Sequence, residues 1–489
     1  MKKALSSVCL LACVLSGGCA SSGGGATNAV PVPDHWHASV SPEGGEVSAA
    51  SPDAKALAQW WAQFGDPVLD ALIGDALAHN LDLRTAEAQL AEARARHLAS
   101  GADLGPSLDA NASVQRTAAS RTLGGGPSRN LYRAGLDAGW EVDLFGRLRS
   151  SHRATAADVA ASVEQWRATR VSLVAEVALD YIDLRTAQRR LALAESTLSG
   201  REQSLALASW RQQAGLVSEL DVAQARTERD SSRATLPVLR ATVSSAQDQL
   251  AVLLGEAPGA LEARLTLPVG NGDGNVPRIA HDIAVAIPAD TLRQRPDVRA
   301  AEQRLAAQAA RLDAARAARY PGLQLSGSIG WEALTAQGLG ASGSLARSLL
   351  ASLTAPIFDS GRIHAAIGIE DARLEQARLA YQAAVLVALQ DVENALVSLS
   401  AARERESRLA DATASAQEAY TIAQFRYQGG LVDFLAVLDS ERTLISLQDQ
   451  LASGRGDVAT AQVRLYKALG GGWTNETVMS ASATAGAKE

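Results

Sequence analysis

The sequence predicts a mainly α-helical, tandem-repeat protomer that carries four membrane-length β-strands. Three observations lead there. Laid on itself at the shift that puts Asp82 on Asp297, the chain matches its own punctuation without a gap: Asp82-Leu83-Arg84 falls on Asp297-Val298-Arg299, Pro106 on Pro321, Gly146-Arg147 on Gly361-Arg362, Gly215-Leu216-Val217 on Gly430-Leu431-Val432, and Leu254-Gly255 on Leu469-Gly470. Pro and Gly mark where a backbone breaks or turns, so a shared offset preserves element lengths more than identities. Each half also holds two runs of strict apolar/polar alternation, and each holds long, Ala-rich runs with helical periodicity.

Composition narrows the class. The chain has 489 residues, 47% of them hydrophobic but only 4% aromatic, which favours thin, closely approaching helices over a thick globular core. The net charge is -7 and no Lys/Arg block is interleaved with aromatics, so nucleic acid is excluded as a partner.

Residues 1–18 read as a signal peptide, with Lys2 and Lys3 followed by the apolar run Ala4 to Leu15 and the small-residue end Gly17-Gly18-Cys19. That ending resembles a bacterial lipobox, which makes Cys19 the expected acylated N-terminus. Leu10-Leu11-Ala12-Cys13 offers a second match and leaves Cys13 as the alternative. All three cysteines lie in this segment, so the processed chain has no internal disulfide and no thiolate metal site. After residue 19 no run of about 18 apolar residues follows, so a membrane span has to be built from strands.

Residues 19–53 form a Gly/Ser/Pro-rich, lipid-anchored leader. Repeat 1 is expected over 54–280 and repeat 2 over 281–473. A helical pattern runs from Asp53 to about Ser100, with Leu69, Leu72, Ile73 and Leu77 at three-to-four spacing. Strands are expected at about 106–116 and 131–145, where Leu108, Ala110, Ala112 and Val114, then Ala134, Leu136, Ala138, Trp140 and Val142, alternate with polar residues. The second pair is expected at about 321–331 and 345–358. Four strands cannot close a barrel, and an open sheet edge in lipid leaves backbone groups unpaired, so the protein must oligomerise. A dimer would supply eight strands and a trimer twelve; counting does not choose.

Long helices are expected over 146–214 and 361–429, each followed by a returning helix, 218–255 and 433–470. Leu374, Tyr381, Ala388, Ala395, Ala402 and Leu409 recur every seven residues, a coiled-coil period. Gly215 and Gly430 suit left-handed helix caps, while Ser218 and Asp433 suit the N-caps of the returning helices. Each repeat thus ends in a helical hairpin tipped by Gly-Leu-Val, which serves either as a docking surface or as a staple for the turn. The tail 474–489 is Ala/Ser/Thr-rich and expected to be disordered.

No catalytic constellation emerges. The seven His are scattered and none pairs at i, i+4, while GxSxG, P-loop, GxGxxG and HExxH contexts are missing. Glu141 and Asp143, two residues apart, are read as lining a wet strand face. Neither an enzyme nor a cofactor is expected.

Four segments together carry a family resemblance: Trp140-Glu141-Val142-Asp143-Leu144-Phe145-Gly146-Arg147, Arg295-Pro296-Asp297-Val298-Arg299-Ala300-Ala301-Glu302, Pro356-Ile357-Phe358-Asp359-Ser360-Gly361-Arg362 and Tyr427-Gln428-Gly429-Gly430-Leu431. They resemble the hallmarks of TolC/OprM-type outer-membrane efflux lipoproteins, over about residues 54 to 473. The resemblance implies a trimer in which a 12-stranded outer-membrane β-barrel continues as a periplasmic α-helical coiled-coil barrel. It implies a passive, gated exit duct for small molecules such as drugs, with a periplasmic adaptor (membrane fusion protein) and an inner-membrane RND-type pump as partners and outer-membrane lipid as surroundings.

It also implies a periplasmic gate at Leu435, Asp439 and Arg442. A second family Asp is replaced here by Ala436. The hairpin tips, Gly215, Leu216 and Val217 with Gly430, Leu431 and Val432, become adaptor-docking sites. The exit channel of a type I protein secretion system is the alternative within this fold, and a periplasmic coiled-coil adaptor or scaffold is the alternative outside it.

Overall fold

The computed structural model describes residues 32–37, 54–118, 120, 122, 127–265, 276–279 and 288–473. The signal segment with Cys13 and Cys19, most of the leader and the tail 474–489 lie outside the described residues. The described residues from 33 onward form one unit. Its helices are α1 (Ala54–Ala58), α2 (Pro67–His79), α3 (Leu81–Ala102), α4 (Arg147–Gln213), α5 (Glu219–Leu253), α6 (Glu262–Leu265), α7 (Pro288–Gln294), α8 (Pro296–Ala317), α9 (Arg362–Gln428) and α10 (Phe434–Ala468). Its strands are β1 (Ser107–Thr117), β2 (Arg129–Val142), β3 (Gly322–Ala333) and β4 (Leu345–Thr354).

The duplication is visible in lengths. Helices α4 and α9 each have 67 residues and α5 and α10 each have 35. A 67-residue helix is roughly 100 Å long at 1.5 Å per residue. Both long helices start at a left-handed glycine, Gly146 and Gly361. Both stop at the tips, where Gly215 and Gly430 adopt φ of 72° and 71°. There the Leu216 amide donates to Arg211 O and the Leu431 amide to Arg426 O, closing the last turn as a left-handed cap does. Ser218 and Asp221 form a reciprocal capping box on α5, and Asp433 accepts from the Ala436 amide on α10.

Above the tips, α4 packs on α5 and α10, and α9 packs on α10; nearer the strands, α4 packs on α3 and α8, and α9 on α8. The short helices therefore meet end to end: α3 stands on the end of α5, and α8 on the end of α10. At the first junction Asn80 Nδ2 donates to Leu253 O at 2.9 Å while its Oδ1 accepts from the Leu83 amide at 2.9 Å. At the equivalent position of repeat 2, Arg295 Nη1 donates to Ala468 O at 2.9 Å and its fork also binds Asp297 and Asp391. Gly255 is obligatory at the first junction, because its φ is 73° and a Cβ would lie 2.8 Å from His79 O.

The main core surrounds these junctions, with Trp60, Leu69, Leu72, Ile73, Val177, Tyr181, Ile182, Leu250, Val392, Leu396 and Val463 among its buried members. Trp60 stacks on Tyr466 at 5.2 Å, and Tyr181 Oη donates to Asp66 Oδ2 at 2.6 Å. Within the leader, Trp36 packs against this core and the His37 amide donates to Glu393.

The four strands form one antiparallel sheet in the order β1-β2-β3-β4. Register places apolar on apolar over most of one face. One row is Leu108, Ala138, Gly327 and Leu349; others pair Leu136 with Ile329, Trp140 with Leu325 and Val142 with Leu323. This face is open: Leu108, Val114, Ile329, Leu349 and Leu353 are all exposed. The opposite face is polar, with Asp109 beside Asp137, Asn111 bonded to Asp137, Arg133 paired to Glu332 at 3.0 Å, and Ser328 bonded to Ser348. Nothing among the described residues pairs with the outer edges of β1 and β4.

Four expectations need correction. The helical stretch from Asp53 to Ser100 is broken into α1, a 3-10 turn at Trp60–Phe64, α2 and α3, because Gly65 turns left-handed and Asp66 and Asn80 cap new helices. Strand β2 ends at Val142 and β4 at Thr354, short of 145 and 358; Pro356 has no amide to continue a ladder. Asp143 consequently leaves the strand. It accepts from the Arg149 amide and Nε, while Glu141 is held by Arg147, so the two carboxylates neutralise the start of α4 instead of lining one face. Lastly, α9 does hold an 18-residue window of mean hydropathy 1.3, long and apolar enough by composition to cross a membrane. About a third of that window is buried, including Val385, Ala388, Val392 and Leu399, while Leu386, Val387 and Val397 are exposed.

Candidate gate and hairpin tips

Helix α10 positions the three predicted gate residues. Leu435, Asp439 and Arg442 follow i, i+4, i+7 spacing, so they share a helix face. That face is open: Leu435 is 42% exposed, and the Asp439 and Arg442 side chains 62% and 48%. The other face, Phe434, Val437 and Leu438, is buried. Phe434 and Leu438 join Ala208 and Ala225 in a small second core, with Leu205, Val222 and Tyr427 around it. This cluster ties the α10 end of hairpin 2 to hairpin 1. Arg211 covers the Tyr427 ring, its guanidinium carbon 5.2 Å from the ring centroid.

The tips divide by exposure. Leu216 and Leu431 are each 72% exposed, while Val217 and Val432 are half-buried. In each tip the valine is the more covered residue and the leucine the more open one.

Arg442 does more than pair with Asp439. Its Nη1 donates to Asp439 Oδ1 at 3.0 Å, and its Nε donates to Glu228 Oε1 at 3.0 Å on helix α5. Glu228 is buried and shared: Arg201 of α4 reaches its other carboxylate oxygen at 2.9 Å. Arg201 Nη1 also donates to Glu228 O at 3.0 Å and Ser232 Oγ at 2.6 Å. The Arg201 Nε lies 3.9 Å from Glu441 Oε1, too far for a hydrogen bond, and stays buried without one. Burial pushes the Glu441 carboxyl up; Arg201 opposes this, the Glu228 charge adds to it and Arg442 opposes it. The exposed Leu435, Asp439 and Arg442 face is thus wired through Arg442 into a buried chain of alternating charge that crosses from repeat 2 to repeat 1. Higher up, Arg190 forks onto Asp449 at 2.7 and 3.0 Å and joins α4 to α10 again.

The structure brings Leu435, Asp439 and Arg442 together on one open face and sets the tips apart from them at the hairpin ends. Cys19 lies outside the described residues. Sequence reasoning missed Arg201, Glu228 and Glu441. Their signal was available in the internal alignment, where they stand opposite Ala416, Thr443 and Arg226: charged residues on Ala-rich helices at positions where the copies disagree.

Among the described residues no cluster of His, Cys, Asp and Glu could hold a metal ion.

Known proteins match this architecture over nearly its full length. The family model described as "Outer membrane efflux protein" matches twice, at residues 72–256 and 287–471, so that both ends of the second match fall on the repeat equivalents of the first. Outer membrane protein OprJ of Pseudomonas aeruginosa is 34% identical, covering 91% of this chain and 91% of its own. The pyoverdine export outer membrane protein OpmQ of the same species is 31% identical over 95% of this chain and 96% of its own. Among solved structures, the outer-membrane channel OprN superposes with a TM-score of 0.82 at 32% identity, covering 91% of this chain and 98% of that one. The open-state MtrE outer membrane channel of Neisseria gonorrhoeae superposes with a TM-score of 0.78 at 30% identity, covering 92% and 99%. With both repeats matched and the barrel strands and helical hairpins in place, the chain belongs to the outer membrane efflux protein family and is an outer-membrane efflux channel.

Proposed function

We propose that three copies of this chain close a 12-stranded barrel and a helical tunnel beneath it, forming the passive exit duct of a tripartite pump. The observation that carries this reading is the sheet: four strands whose largely apolar rows run across the width, exposed on one face, with both edges open. In lipid such edges are unaffordable until another copy pairs with them. Closure by β4 of one copy on β1 of the next keeps the antiparallel order and turns the polar face inward. The duct performs no chemistry of its own; an inner-membrane pump of the RND type supplies the energy and a periplasmic adaptor joins the two at the leucine-bearing tips. Acylated Cys19 adds a lipid anchor.

In this reading the Leu435, Asp439 and Arg442 face turns toward the threefold axis and constricts the tunnel. Three Asp439 carboxylates near one axis would repel one another alone; paired with Arg442 at i+3 they form a ring of ion pairs that holds the constriction closed. The test is single-channel conductance of the detergent-extracted protein in planar bilayers. Asp439→Ala, which frees Arg442 from the ring, is expected to raise conductance about tenfold, the scale of losing roughly 1.4 kcal/mol of closure. Unchanged conductance removes Asp439 from the gate, and a particle that is not trimeric removes the barrel.

A further inference from the structure

Two arginines break the apolar face of the sheet. Arg116 of β1 pairs in register with Asn130, on the face of Val114 and Ala112; Arg347 of β4 pairs with Ile329, in the row of Leu136 and Ala110. Both are exposed, and among the described residues neither has an acidic partner. By contrast Arg133, on the polar face, is paired with Glu332 at 3.0 Å. A cation facing hydrocarbon is costly at mid-depth and cheap at the margin, so its height matters.

Height follows from connectivity. Helices α3, α4, α8 and α9 lie at one end of the sheet, so the opposite end, where β1 runs into β2 and β3 into β4, faces away from the periplasm. Arg116 lies one residue inside that end of β1 and Arg347 two residues inside that end of β4. Tyr132 and Trp331 share the face near the same end, as an aromatic belt at a membrane margin does. The edges matter too: β1 and β4 are the two outermost strands, so closing the barrel brings Arg116 of one copy and Arg347 of the next to the same seam.

We propose that each seam between copies presents a paired-arginine site, on the lipid side of the barrel's outer rim, for the phosphate groups of the anionic glycolipid in the outer leaflet. The argument is charge complementarity on an otherwise apolar band. Guanidinium groups bind phosphate through two parallel hydrogen bonds, and the neighbouring Leu345, Leu349 and Val114 offer acyl chains a surface. The inference rests on the trimeric barrel of the preceding section.

The test uses the full-length protein extracted in detergent, with native mass spectrometry reading bound lipid after addition of doubly phosphorylated lipid A or its dephosphorylated form. The wild-type trimer is expected to retain the phosphorylated lipid and not the dephosphorylated one. The double variant Arg116→Ser, Arg347→Ser is expected to lose about tenfold in retention, while Arg133→Ser keeps it. Equal retention by wild type and double variant, or of both lipids, overturns the inference. Displacement by an equal concentration of inorganic phosphate overturns the lipid as the ligand. Trimers that conduct in bilayers yet ignore the double variant overturn this inference alone; a particle that is not trimeric overturns the barrel and the inference together.

Discussion

The two repeats have the same skeleton and different chemistry at two equivalent places. At the helix junctions, one small amide, Asn80, caps α3 and α5 at once, whereas its counterpart Arg295 spans the same gap with a guanidinium tied to two carboxylates and a carbonyl. At the hairpins, α5 and α10 have equal length, yet α10 carries Leu435, Asp439 and Arg442 where α5 carries Leu220, Gln224 and Thr227. Duplication preserved the dimensions that a symmetric assembly requires. The polar residues diverged, so the charge network runs between unlike copies and holds them to each other. Arg201 and Glu228 come from repeat 1, Glu441 and Arg442 from repeat 2.

The comparison breaks most easily at Arg201. Replacing it with Met strips a counter-charge from Glu228 and Glu441, whose side chains are 11% and 13% exposed. A loss of about 3 kcal/mol is expected, the scale of a buried pair broken on one side. Thermal unfolding of the solubilised protein and hydrogen exchange localised to the lower halves of α4, α5 and α10 read it; a variant as stable as wild type would show that the network is ornamental.

The junctions sharpen the comparison at smaller scale. Arg295→Ala removes the cap of α10 but leaves Asp297 and Asp391 nearly half exposed, so water takes over part of the charge, and a loss of about 2 kcal/mol is expected. Asn80→Ala is expected to cost about 1 kcal/mol, an ordinary N-cap loss. If Asn80→Ala costs as much as Arg295→Ala, the two solutions are energetically equivalent despite their chemistry.

The smallest effect concerns a group with no acidic counterpart. Burial first, then Glu176 and Asp183, push the Asp180 carboxyl up to about 6, while repeat 2 has Ala395 there. A raised carboxylate pKa means the folded state holds its proton more tightly, so the contribution of Asp180 to stability is present below about pH 4 and is lost as pH rises through about 6. Asp180→Asn is therefore expected to melt a few degrees higher than wild type at pH 8, for an effect of up to about 1 kcal/mol after solvent screening. The two should coincide at pH 4. A difference that persists at pH 4 would make its cause packing, not charge.

Much of this was written in one dimension. Strict alternation from Leu108 to Val114 can only be a half-wetted strand, and Ser218-Glu219-Leu220-Asp221 closes a capping box from its own residues. Such features depend on neighbours a few residues away. The strand ends were less legible, because the alternation continues through Leu144 and Ile357 after the ladder has stopped. What halted it was the Asp143 contact to Arg149 and the missing amide of Pro356. The Leu435, Asp439 and Arg442 face was legible only as a spacing on α10; its wiring was not, since Arg442 and Glu228 are 214 residues apart.

The sequence by itself determined the duplication, the length and type of each long element, its caps and the apolar phase of every strand, since these follow from local periodicity and backbone chemistry. Tertiary structure alone decided which helix stands on which, how register joins four separate alternations into one open apolar face, and which charges meet. Those depend on contacts between residues hundreds of positions apart, and side-chain type does not encode a partner until packing excludes water and leaves each buried charge one neighbour to bind.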